Sequence, residues 1–177
     1  MSKQVWNIDG AHSEIGFKVR HMMITNVNGV FNSYTATMLA NAADFSDAEI
    51  SFDADIDSVN TRNEQRDGHL KSPEFFDAEK FPKVSFKSTS FTKTGDGQYA
   101  MKGIFNMHGV EKEISMNVEF TGTVVDPWGQ VKAGFEITGA LNRSEFGLTW
   151  NATSEDGSIV LDEVIKLALN VQMIKQV

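Results

Sequence analysis

No cysteine occurs in the 177 residues. That excludes disulfides, a thiolate nucleophile and cysteine-based zinc or iron–sulfur sites. It leaves the redox compartment open. Basic charge is also scarce: 16 Lys and Arg stand against 24 Asp and Glu, a net charge of −8. No run of Lys or Arg interrupts the excess, so the basic face that nucleic acid requires is missing. Adsorption to anionic membrane surfaces by charge is disfavoured for the same reason. No window approaches the ~18 apolar residues of a membrane span, so stable membrane insertion is not expected. The opening MSKQVWNIDG has no apolar stretch of signal-peptide length. The expectation is a cytoplasmic chain as it stands, or a periplasmic one if a leader has been removed. Catalytic signatures are missing too: there is no G-x-S-x-G elbow, Walker loop or dinucleotide fingerprint. A non-enzymatic protein without a cofactor is expected.

What is present is ordinary for a globular domain: 41% hydrophobic and 23% charged residues. Phe and Met stand out, at 13 and 8. There is no internal repeat, low-complexity tract or linker, so residues 1–177 are read as one domain.

The dominant pattern is alternation with period two, the mark of half-buried strands. Ile15, Phe17 and Val19 share one parity, as do Ile50, Phe52, Ala54 and Ile56. The same holds for Tyr99, Met101, Phe105 and Met107, for Ile114, Met116, Val118 and Phe120, and for Val131, Ala133, Phe135 and Ile137. The last run, Ile165 to Met173, also fits a helical stripe. Its unbroken alternation favours a strand. Turn chemistry separates the runs: Asn28-Gly29, Gly95-Asp96-Gly97, His108-Gly109, Asp126-Pro127-Trp128-Gly129 and Asp156-Gly157. About eight strands at hairpin spacing predict an all-β sandwich or closed barrel. One stretch, residues 61–77, reads as a short helical excursion. Thr61 with Glu64 forms a capping-box pattern, and Ser72-Pro73 looks like a second helix start.

Alternation alone does not separate a filled sandwich from a barrel with a ligand cavity. The Phe and Met content suits an adaptable apolar pocket, but suits a solid core equally. No histidine pair has the i, i+4 spacing of a zinc protease, so no metal site is expected. His12 and His21 have opposite parity and cannot both face inward. His21 shares the parity of Phe17 and stands at the rim of any lumen. On the predicted helix Arg62 and Arg66 share a face, and His69 adjoins Arg66. This cationic cluster suits a phosphate or polar head group, or surface pairing with Glu64, Asp67 or Glu74. Asp53, Asp55 and Asp57 lack the calcium-loop spacing and read as a solvated strand face.

Several spaced segments resemble one known family. WNIDGAHSEIGFKVRH (6–21) is similar to the opening of the YceI-like family. RDGHLKSPEFFD (66–77) with FPKVSFKSTSF (81–91) resembles its most distinctive block. MHGVEKEI (107–114), DPWGQVKAGFE (126–136) and LNRSEFGL (141–148) follow in the family's order. His12, Ser13, Phe17 and His21 match the first motif. Arg66, Asp67, His69, Leu70, Phe75 and Phe76 match the central one, and Arg143, Phe146 and Gly147 the late one. The resemblance implies an extended, lipocalin-like antiparallel barrel around a long hydrophobic tunnel. It also implies a carrier or storage protein for an isoprenoid lipid, such as a polyprenyl pyrophosphate or isoprenoid quinone. Given that fold, the apolar parity rows become the tunnel: Ile15, Phe17, Val19, Phe52, Phe86, Phe105, Met107, Met116, Val118, Phe120, Phe135 and Ile137. His21, Arg66, His69 and Arg143 become candidates for the head group, with Phe75 and Phe76 as a gate at the mouth. Other readings are a fatty acid or fatty amide as ligand, or an enzyme on a lipid-like substrate using His69 and Asp67 as acid–base partners. An exposed edge strand could support a homodimer.

Overall fold

The computed structural model describes residues 3–152 and 160–177. Asp156-Gly157 therefore lies outside the described residues. The strands are β1 (Val5–Ile8), β2 (Glu14–His21), β3 (Thr25–Phe31), β4 (Tyr34–Leu39), β5 (Glu49–Asp55) and β6 (Val59–Asn60), then, after helix α1 (Glu64–Lys71), β7 (Lys83–Gly95), β8 (Gln98–Met107), β9 (Val110–Val125), β10 (Val131–Asn142) and β11 (Leu161–Lys175). All pairings are antiparallel. The C-terminal run is a strand of 15 residues, as its alternation indicates.

These elements close into an eight-stranded barrel, because three strands are bent and count twice. β11 pairs with β2 over Leu161–Asn170 and with β1 over Met173–Lys175, so β1 and β2 are one strand broken by a kink. β3 and β4 pair with β2 and β1 in the same way, and β6 and β5 follow against β3 and β4. The first kink is held by Asp9. Its carboxylate accepts from the Ala11 N–H, from His12 Nδ1 at 2.9 Å and from Gln172 Nε2 at 2.9 Å, and meets Lys132 Nζ at 3.4 Å. His12 thus serves the outside of the wall.

Antiparallel alternation sends the connections to two ends. One end carries the 22–24 turn, the 61–82 excursion, the 108–109 turn and the β10–β11 connection. The other carries the 40–48 loop and the 96–97 and 126–130 turns. The second end is closed by a floor of aromatic rings. Phe45, delivered by the 40–48 loop, packs 5.4 Å from Trp6, 5.2 Å from Phe120 and 5.4 Å from Phe135. Edge-to-face and tilted contacts of this kind are favourable for rings.

Several local expectations change. Asn28-Gly29 is not the hairpin turn: it lies inside β3, and the chain reverses at residues 22–24. Gly29 is there for Phe17, whose ring lies across it where a Cβ would stand. Thr61 is not the helix cap either. Asn63 caps α1 by accepting from the Arg66 N–H at 3.0 Å, and Thr61 is buried, its hydroxyl donating to Asp67 at 2.5 Å. Arg62 precedes the helix, with φ of +66°, so it shares no helical face with Arg66. Ser72 ends α1 and starts no second helix. Its hydroxyl donates to the His69 carbonyl at 2.6 Å, and the chain turns through residues 73–76. No helix among the described residues is long and apolar enough to cross a membrane.

Candidate functional site

The barrel interior is not filled above the floor. A lower cavity of about 120 Å³ is lined by 22 residues, all of them apolar or glycine. The walls are two-period rows from seven strands: Ile15 and Phe17 of β2, Ala36 and Met38 of β4, Ile50 and Phe52 of β5, Val84, Phe86 and Phe91 of β7, Met101 and Phe105 of β8, Met116 and Val118 of β9, and Phe135 and Ile137 of β10. Leu167, Leu169, Val171 and Met173 of β11 complete it, with Ile8, Gly16 and Phe31. An upper cavity of about 240 Å³ continues towards the excursion. The two share Phe17, Phe31, Val84, Phe105 and Leu167 as lining.

The upper cavity differs in one respect: polar groups enter it. His21, Arg66, His69, Arg143 and Trp150 line it beside Val19, Met107, Leu141, Leu148 and Ile165. No carboxylate is among its described lining residues. The excursion delivers two of the cations. Arg66 Nε donates to the Thr61 hydroxyl at 2.8 Å and Nη2 to the Thr61 carbonyl at 2.6 Å. These bonds aim the guanidinium, with Asp67 beyond it holding Thr61 through its N–H at 2.9 Å and its hydroxyl. His69 sits edge-on between Phe75 at 5.0 Å and Trp150 at 4.8 Å, and its Nε2 pairs with Glu74. Asp67 and His69 therefore serve different partners, and the acid–base pair of the enzymatic reading is not assembled. Phe75 and Phe76 are both buried under the excursion, Phe76 with its ring 6.4 Å from Phe31.

Arg143 is the third cation and is only 3% exposed. Asn142 caps the short turn after β10 through the Ser144 N–H at 3.0 Å. The Arg143 guanidinium then reaches back to carbonyls: Nη1 to Leu148 and Trp150 at 2.8 Å each, Nε to Asp162 at 2.9 Å and Nη2 to Leu161 at 3.4 Å. Burial pushes its pKa down, against the pull of Glu163 and Asp162. Four of the five N–H donors of the guanidinium are thereby spoken for. Its first task is to fix the β10–β11 connection.

The structure places the residues singled out in the sequence as follows. Ile15, Phe17, Phe52, Phe86, Phe105, Met116, Val118, Phe135 and Ile137 line the lower cavity. Val19, Met107, His21, Arg66, His69, Phe75, Phe76 and Arg143 line the upper one. Phe120 stands apart: it packs into the floor against Phe45 and Phe135 and lines neither cavity. Asp53 and Asp55 lie near Lys83 Nζ on the outer wall, at 3.7 and 3.9 Å. Trp150, Leu148 and Leu70 went unsingled as lining. Trp150 and Leu148 sit in the β10–β11 connection and Leu70 on α1 within the excursion, where no strand period marks an inward face.

The comparisons with known proteins agree with one another. The model of the YceI-like domain matches residues 6–173. A UPF0312 protein of Staphylococcus aureus is 32% identical over 162 residues, covering 91% of this chain and 92% of its own. The crystal structure of a Campylobacter jejuni YCEI protein superposes with a TM-score of 0.76 at 32% identity, over 96% of each chain. A polyisoprenoid-binding domain of Saccharophagus degradans, implicated in plant cell wall breakdown, shares the fold with a TM-score of 0.65 at 14% identity, over 98% of this chain and 100% of that one.

Proposed function

This chain belongs to the YceI-like family, and from that premise we propose that it is a binding protein for a long isoprenoid lipid, carried tail-first in the two cavities. The observation that carries the reading is the lower lining: 22 residues without one polar side chain. A sugar, nucleotide or peptide placed there would lose its hydrogen bonds to water and gain none, at about 1–3 kcal/mol for each orphaned group. A prenyl tail loses nothing. The upper ring of His21, Arg66 and His69 supplies the polar end, and suits a pyrophosphate or a quinone head. The Saccharophagus domain of the same fold is itself described as polyisoprenoid-binding.

Methionine gives the cavity its tolerance. Five of the eight line it: Met38, Met101, Met116 and Met173 below and Met107 above. Flexible, polarizable thioethers repack around irregular apolar chains. Burying forty carbons yields roughly 30 kcal/mol gross at ~0.8 kcal/mol each, beyond the ~18–21 kcal/mol at which affinities saturate. Ordering the tail offsets much of that gain. The head group therefore sets orientation more than affinity, and a carrier or storage role follows from a tightly held, unaltered cargo.

Native mass spectrometry of the purified protein, followed by organic extraction, tests this. A discrete added mass that releases a prenyl lipid is expected. If the protein stays unloaded after soaking with both a polyprenyl pyrophosphate and an isoprenoid quinone, the reading fails. Release of a fatty acid or fatty amide would keep the cavity and replace the cargo.

A further inference from the structure

A water-insoluble cargo has to enter somewhere, and the mouth end carries an apolar projection. The 22–24 turn exposes three consecutive large apolar side chains: Met22 at 44%, Met23 at 69% and Ile24 at 75%. We propose that this turn docks the protein on a lipid bilayer, so that cargo moves between membrane and cavity without crossing water. The inference rests on the lipid-carrier reading above.

Four observations point the same way. The turn is rooted in the cavity rim: His21, just before it, lines the upper cavity, and the Met22 N–H donates at 2.7 Å to the carbonyl of Val160, which lines it too. Its backbone is costly for its residues. Met22 and Met23 hold φ of +52° and +66°, a region that glycine or asparagine enters more easily. A turn needed only for reversal has no use for two methionines there. The distribution of methionine is the third point. Beyond Met1 and the five in the cavities, the only other two are on this tip, so the same adaptable apolar side chain stands inside the chamber and at its entrance. Such clustered exposed apolar groups mark interaction surfaces.

Charge behind the tip is the fourth. On the outer wall Lys18 of β2 stands directly opposite Lys166 of β11, with Arg20 next along the same face of β2. Like charges in cross-strand register are unfavourable unless an anion joins them. The net charge of −8 opposes adsorption to an anionic surface as a whole. Insertion of Met22, Met23 and Ile24 has to carry the binding, with the lysines meeting lipid phosphates.

The far end provides an internal control. Val124, Val125 and Trp128 are also exposed, Trp128 at 83%, but there the barrel is closed by its aromatic floor. Flotation with phosphatidylcholine–phosphatidylglycerol vesicles compares the wild type, Met23→Ser/Ile24→Ser and Trp128→Ser. The wild type is expected to float, the tip variant to lose at least tenfold in vesicle-bound fraction, and Trp128→Ser to match the wild type. Equal flotation of the tip variant, failure of the wild type to float, or loss only in Trp128→Ser would each overturn the proposal. Uptake of a fluorescent prenyl lipid added from ethanol, without vesicles, separates the two readings. The tip variant should load like the wild type there, which also shows that it folds. A wild type that takes up none would sink the carrier reading itself, whatever the vesicles show.

Discussion

The tip of the Phe17 ring lies over Gly29, its cross-strand partner, in the space a side chain at residue 29 would take. Phe17 also borders both cavities, so the absence of one methyl group sets the width of the passage between them. Gly29→Ala should push the ring off the wall and into the lumen. The expected result is a loss of about 1–3 kcal/mol, the usual cost of overpacking, with less prenyl lipid bound per protein. Thermal denaturation and lipid extraction measure the two. Unchanged loading would show that the ring does not narrow the passage.

Arg143 and Arg66 both face the upper cavity but are committed differently. Arg143→Met takes the guanidinium from the Leu148, Trp150 and Asp162 carbonyls near the mouth, while Leu161 keeps its bond from Asn151 Nδ2 at 2.8 Å. It should destabilise the lipid-free protein by about 2–5 kcal/mol, since each orphaned buried group costs about 1–3 kcal/mol. Arg66→Ala should fold and bind a neutral quinone normally, while weakening a pyrophosphate-headed lipid about tenfold, in line with a lost charge-assisted hydrogen bond. Competition binding with the two ligands reads the difference, and an equal loss for both removes Arg66 from the head-group site.

Tail length should respond to the lower cavity. Ala36 lines it from β4 opposite Phe52 of β5. Ala36→Phe fills space without adding charge or a hydrogen-bonding group. A shift of the bound population towards shorter prenyl chains is expected, by mass spectrometry of extracts from cells offering a mixture. An unaltered length distribution would mean that tails stop in the upper cavity.

The floor should loosen in acid. The Asn41 N–H bonded to Asp47 is the largest influence on that carboxyl; with the Ala42 N–H and the charge of Lys3, and against a smaller effect of burial, it holds the pKa below the ordinary 3.8. A carboxyl depressed on folding stabilises above its unfolded value, and that stabilisation is lost as pH falls below about 3.8. The 40–48 loop that carries Phe45 is fastened by these bonds. Amide exchange of Phe45 and Ala48 should accelerate below that pH relative to the barrel strands. In Asp47→Asn the pH step should shrink, the remainder belonging to Asp44 of the same loop, which its bonds to Ser46 also hold below the ordinary carboxyl value.

Much of this was legible from residue patterns. Alternation marked the strands because the pleat turns successive side chains to opposite faces, and a water-exposed wall with an apolar interior writes that pleat into the sequence. It even put Ile15, Phe105 and Phe135 on the inner face. Local rules failed where a tertiary partner competed. Asn28-Gly29 has hairpin chemistry, yet the Phe17 ring claims the glycine. Thr61 has cap chemistry, yet Asp67 and Arg66 claim its hydroxyl and carbonyl. Phe45 and Trp150 lie in connections, where nothing periodic distinguishes an inward ring from an outward one.

The sequence by itself determined that β2, β5, β8, β9, β10 and β11 are strands and which of their faces turns inward, because both follow from the local geometry of an extended chain. It did not determine whether the inner faces meet or stand apart. That was decided by β11, long enough to pair with β2 and β1 in turn and so close the wall, and by Phe45, which enters from a loop and fills one end only. Closure at eight strands fixes the radius, and the radius sets whether opposing side chains touch. Phe120 and Phe135 are cross-strand partners and both pack on Phe45, yet only Phe135 borders the chamber, a distinction that no pattern in the sequence carries.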